Sequence, residues 1–136
     1  MPRTILSIAV LLACIAPLRA QVVGVDSGAL PRLMAQHVEV IDIRRPDEWR
    51  RTGVIEGTRL MTFFDARGNY DAKAWMAKLT PVAAGDREVA IICHSGGRSR
   101  LLSRFLHEEI GYRRVYDVRD GVAGWIAAKR PTIPYP

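Results

Sequence analysis

The chain has 136 residues, 49% hydrophobic and 25% charged, which suits one compact domain and excludes a disordered or collagen-like polymer. Its formal charge of +6 favours small anions as ligands. The arginines form no Lys/Arg-rich arm with interleaved aromatics, so no nucleic-acid partner is expected.

The first stretch, "MPRTILSIAVLLACIAPLRA", has basic Arg3, an apolar run from Ile5 to Ala16 broken only by Ser7, and small Ala20 before Gln21. It reads as a secretory signal peptide over residues 1–20, which places the domain in the periplasm or outside the cell. The run falls short of the roughly 20 apolar residues that a spanning helix needs, so no stable membrane insertion is expected. Lipid anchoring at Cys14, in "LLAC", is the alternative. Cleavage removes Arg3 and Arg19 and leaves a charge of +4. It also removes Cys14, so Cys93 becomes a lone thiol with no partner for an internal disulfide.

Residues 21–130 then form the domain, and residues 131–136 form a proline-punctuated tail expected to be flexible. "VVGV" (22–25) is a strand candidate. Asp26 or Ser27 caps a helix through Leu30, Leu33 and Met34 to about His37, with Pro31 in its first turn. "VEVIDI" (38–43) is a β-branched strand, and "PDEWRR" opens a short helix with Pro46 first and two acids toward the positive end of its dipole. "TRLMTF" and "EVAIIC" give two further strands, separated by a turn at "ARGN" and a helix around Ala72 to Leu79. Leu101, Leu102, Phe105, Leu106 and Ile110 then make one apolar helix face, stopped by Gly111. "RRVYDV" is the last strand, and Val122, Trp125 and Ile126 share one side of a closing helix.

This alternation predicts an α/β fold: a mostly parallel sheet of about five strands with helices on both faces. "EVAIIC" is nearly continuous in apolar residues, as a central parallel strand requires. Its C-terminal end is Cys93, and ligands gather beyond the C-terminal strand ends of such sheets.

The loop "CHSGGRS" gives this cysteine a purpose. Counted alone, a free cysteine is either a small buried hydrophobe or a nucleophile. Gly96 and Gly97 permit positive φ, so the segment from His94 to Ser99 can curl its amides inward as an anion nest, next to a helix beginning at about Arg98. Helix N-termini and nearby cations favour the thiolate, which is the nucleophile. Arg98 either aims its planar fork at an anionic substrate or braces the loop. Ser95 and Ser99 either present hydroxyls to a sulfur anion or cap the helix. His94 either polarises the site or sits exposed on the loop. The other histidines, His37 and His107, lack ligand spacing, so neither a metal nor another cofactor is expected.

These residues resemble the active loop of single-domain rhodanese-like sulfurtransferases, Cys-x-x-Gly-x-Arg or Thr, with Cys93, Gly96 and Arg98 matching. "VIDIRRPDEW" is similar to that family's upstream motif through Asp42, Arg44, Pro46 and Glu48, and "VRDGVAGW" to its C-terminal signature around Gly121 and Trp125. The likeness spans roughly residues 22 to 130. It departs at Val54 in place of histidine, Thr58 in place of alanine, and Asp120 where a first glycine is usual. The resemblance implies sulfur transfer through a Cys93 persulfide, from a small anionic donor such as thiosulfate to cyanide or a thiol. It also implies that Asp42 lies near the loop, either orienting it by accepting a hydrogen bond from an amide or Arg98, or serving structure alone, with Arg44 in support. A non-catalytic docking module of the cell envelope is the alternative. Phosphatase chemistry of related domains needs five residues between cysteine and arginine, whereas Cys93 and Arg98 enclose four. A thiol oxidoreductase would need a C-x-x-C pair.

Overall fold

Residues 21–136 are described by a computed structural model; the expected leader, residues 1–20 with Cys14, lies outside the described residues. In chain order these residues form β1 (Gln21–Val25), α1 (Leu30–Ala35) after a 3-10 turn at Ser27–Ala29, β2 (Glu39–Asp42), α2 (Pro46–Thr52), β3 (Arg59–Leu60), α3 (Ala72–Leu79), β4 (Glu88–Ile92), α4 (Gly97–Phe105), β5 (Arg114–Val118) and α5 (Gly121–Ala127). A π-helical turn, Leu106–Ile110, extends α4. The sheet order is β1-β5-β4-β2-β3, and every pairing is parallel, with Val89 opposite Val115 and Asp42 opposite Ile92.

Period-two side-chain direction divides this sheet into two faces. Val89, Ile91 and Cys93 point into one core with Trp75 and Leu79 of α3 and Leu102 of α4. Ala90 and Ile92 point the other way, against Leu30 and Leu33 of α1 and Val122 and Trp125 of α5. β4 is therefore dry on both faces, which explains its unbroken apolar run. Leu102 and Leu106 are buried and dock α4 on the sheet. Each such side chain stabilises that docking by about 1.5–3 kcal/mol, which fixes the helix whose first turn carries the loop.

Four local expectations change. α1 ends at Ala35, and His37 takes a left-handed φ of 61° beyond it. β3 keeps only two residues: past Leu60 the chain makes single bonds from Met61 N to Asp42 O and Phe63 N to Ile43 O, because Phe63 turns inward against Trp75. On α4 the buried stripe is Ser99, Leu102, Ser103 and then Leu106, while Leu101 is 62% exposed. Ile110 is also exposed at the end of the wide π turn, and Ile126 is exposed on α5.

The end expected to be flexible is bonded to the domain. Val54 and Ile133 exchange backbone hydrogen bonds of 2.9 and 2.8 Å, and Trp125 Nε1 donates to Pro131 O at 2.8 Å. Val54, one departure from the family pattern, is the partner in that bridge. Asp120, another, accepts from Ser27 N and Oγ at 2.7 and 2.8 Å and ties the start of α1 to the start of α5.

Candidate active site

Cys93 follows the last residue of β4, and its carbonyl with that of His94 accepts Val122 N and Ala123 N, each at 2.9 Å. These are first-turn amides of α5, which have no partner within their own helix. The contact turns both carbonyls outward and leaves the inside of the loop to N–H groups. It needs Gly121 without a side chain, since a Cβ there would lie 2.2 Å from His94 O, and its φ is +62°. Gly96, at φ +96°, is required for the same reason: a Cβ would meet Arg119 O at 1.9 Å.

Inside the loop, Gly96 N donates to Cys93 Sγ at 3.1 Å and Ser99 N at 3.4 Å. Two converging amides at the start of a nine-residue helix are the donors that a sulfur anion requires. Cys93 is only 1% exposed, so it also behaves as a core residue toward α4. Its sulfur forms the floor of a loop whose rim residues, His94, Ser95 and Gly97, are exposed.

Arg98 does not point its fork at open space. Its Nη1 and Nη2 donate to Glu48 Oε2 and Oε1 at 2.8 and 2.6 Å, so the loop is braced to α2. Glu48 also accepts Arg45 N at 3.0 Å. Burial alone would raise the Glu48 carboxyl, but the Arg98 guanidinium and the Arg45 amide outweigh it and hold it at about 2. The same Glu48 contact raises Arg98. A carboxyl with a lowered pKa contributes stability that is complete above its ordinary range and lost as pH falls through the folded value. Glu48→Gln is therefore expected to lower unfolding free energy by about 1–3 kcal/mol at neutral pH. Urea unfolding should show that loss shrinking between pH 4.5 and about 2.

The other expected site residues separate into two groups. Asp42 and Arg44 lie together but below the loop: Arg44 Nε donates to Asp42 Oδ1 and Oδ2 at 3.0 and 3.1 Å, and Nη2 to Oδ2 at 2.8 Å. Arg44 also reaches Thr52 Oγ1 and Gly53 O. Of the donors expected for Asp42, an amide or Arg98, the amide is present, since Arg44 N donates to Asp42 Oδ1 at 3.1 Å; the guanidinium that joins it is that of Arg44, while Arg98 bonds Glu48. Neither Ser95 nor Ser99 caps α4 through its side chain, because Gly96 occupies the cap position. Ser99 Oγ faces Gly96 O and Asp117 Oδ1.

Asp117 was not singled out in the sequence, and Glu48 appeared there only as a motif match. Asp117 shares a face with Val115 on a strand whose inward positions are otherwise apolar, and that alternation is the signal that marks it. Beside the loop, between α4 and β1, opens a cleft of about 840 Å³ whose lining includes Gly96, Arg100, Arg104, Asp117 and Arg119.

A family model for the rhodanese-like domain matches residues 28–128. The chain belongs to the rhodanese-like domain family. Its α/β sheet is shared with solved rhodanese-like proteins. A Staphylococcus aureus rhodanese-like domain protein is 19% identical, with 76% of this chain and 90% of that one covered and a TM-score of 0.56. The polysulfide-sulfur transferase homodimer of Wolinella succinogenes is 18% identical, with 87% and 82% covered and a TM-score of 0.63. A Rhodopseudomonas palustris protein described as a possible tyrosine phosphatase is 25% identical, with 77% of each chain covered and a TM-score of 0.55. No curated protein sequence matches this rhodanese-like chain.

Proposed function

We propose that this rhodanese-like domain is a sulfurtransferase that carries a sulfane sulfur on Cys93. The observation that carries the reading is the pair of amides, Gly96 N and Ser99 N, aimed at a single sulfur atom. In the first step the Cys93 thiolate attacks the outer sulfur of thiosulfate. The donor's S–S bond breaks, sulfite leaves with the electron pair, and Cys93 holds a persulfide. In the second step cyanide or a thiolate attacks the outer persulfide sulfur, that S–S bond breaks, and the Cys93 thiolate is restored. Two displacements at one nucleophile are covalent catalysis. The two amides donate to the Cys93 sulfur, which carries the negative charge before the first step and regains it after the second, and they need not reorganise to do so.

Arg100, Arg104 and Arg119 around the neighbouring cleft supply positive potential that draws an anionic donor toward the loop. Arg98, held by Glu48, fixes loop shape.

The description of one solved neighbour as a possible tyrosine phosphatase suggests a second reading. Four residues between Cys93 and Arg98, with the Arg98 fork closed on Glu48, favour a cradle for one sulfur over one for a phosphate group. A docking module would not need amides trained on a thiol. Intact mass after incubation with thiosulfate, and again after cyanide, separates the readings. The expected result is a gain of one sulfur that cyanide removes; an unchanged mass under both conditions overturns the proposal.

A further inference from the structure

Three oxygen atoms stand in a row behind the Cys93 loop. Ser99 Oγ lies 3.1 Å from Gly96 O and 2.8 Å from Asp117 Oδ1. Gly96 O is a carbonyl and accepts only; an ionised Asp117 carboxylate also accepts only; Ser99 has a single hydroxyl proton to give. With Asp117 ionised, one of the two contacts is a hydrogen bond, and the charged acceptor takes it. The other then sets two lone pairs face to face. With Asp117 protonated, its O–H donates to Ser99 Oγ while the Ser99 O–H donates to Gly96 O, and both contacts are satisfied.

The surroundings favour that second state. Asp117 is 4% exposed. Burial pushes its carboxyl above the ordinary range, outweighing the Ser99 hydrogen bond and the opposing charges of Arg119 and Arg100. Arg100 faces it from α4 and Arg119 from the end of β5, whereas its register partners, Gly24 on β1 and Ile91 on β4, carry no charge. Arg104, His107 and Glu108 complete the charged and titratable lining of the shared cleft. The two residues that this chain joins, Gly96 and Ser99, are the same two whose amides hold the Cys93 sulfur.

We propose that Asp117 is a positioning residue for the Cys93 cradle: in its protonated form it completes a hydrogen-bond chain through Ser99 to Gly96, and its ionisation releases the Gly96 end. The inference deepens the sulfurtransferase reading, but its first test needs no sulfur donor.

The test uses the full chain with Cys14→Ser, so that Cys93 is the one thiol. Asp117→Asn keeps the shape and offers an N–H donor to Ser99 at every pH. The alkylation rate of Cys93 by iodoacetamide is followed by intact mass across pH for both proteins, with thermal unfolding as a check of folding. The ratio of the Asp117→Asn rate to the Asp117 rate should rise with pH by about two- to tenfold, the effect of one neutral hydrogen bond. In a Ser99→Ala background the ratio should stay flat, because the link is cut. A ratio that stays flat with Ser99 present, or rises equally without it, overturns the proposal. Persulfide loading from thiosulfate is then measured on the same proteins. Absence of loading in all of them refutes sulfur transfer while leaving the alkylation result for Asp117 standing.

Discussion

Cys93→Ser is expected to abolish persulfide formation and to lower thiosulfate-to-cyanide transfer by more than about 10³-fold, while the domain stays folded. The serine oxygen fits where the sulfur sits and can accept from Gly96 N and Ser99 N. It is not ionised near neutral pH and forms no sulfane adduct. The two meanings of a buried cysteine part here. A residue kept only for packing, surrounded by Ile91 and Leu102, would show its loss as a stability change of about 1–2 kcal/mol and no defect specific to sulfur. A nucleophile shows the reverse. Circular dichroism and urea unfolding, measured beside cyanide-dependent thiocyanate release, decide between them. Retained turnover in the Cys93→Ser protein would end the sulfurtransferase reading.

The placement of Cys93 was legible in the sequence because each step is local. A continuous apolar run made β4 central, two glycines marked a curling loop, and a helix pattern followed. What holds the loop was not legible, because it comes from across the sheet. The α5 amides that turn the Cys93 and His94 carbonyls outward lie about thirty residues downstream. Glu48, fifty residues before Arg98, reads in isolation as an ordinary acid in the first turn of α2. On α4 the 3.6 period holds for Leu102, Phe105 and Leu106 but fails at Leu101 and Ile110. Ser99 points inward where a hydropathy count favours Leu101, and there it reaches Asp117 and Gly96; Ser103, also inward, has no such partner among the described residues. Polar demand at the site overrode apolar patterning in that turn.

The largest stability effect is expected from Arg44→Met. Arg44 is fully buried, as is Asp42, and the pair shares a 2.8 Å ion pair that closes off every face of the carboxylate's site from water. Methionine fills much of the same volume but leaves the Asp42 carboxylate buried without its cation, and breaking a buried pair from one side costs about 3–5 kcal/mol. It also removes the donors to Thr52 Oγ1 and Gly53 O, which tie the end of α2 to the end of β2. Since α2 carries Glu48, a loosened α2 withdraws the brace from Arg98, and sulfur transfer should fall together with stability. Adding Asp42→Asn removes the stranded charge, while its side-chain oxygen still accepts from the backbone N–H of residue 44. The double variant should therefore regain about 2 kcal/mol or more of the loss in urea unfolding, as neutralised buried pairs do. If both single and double variants unfold at the same urea concentration, the stranded charge is not the origin of the effect, and the lost ties to Thr52 and Gly53 carry it instead.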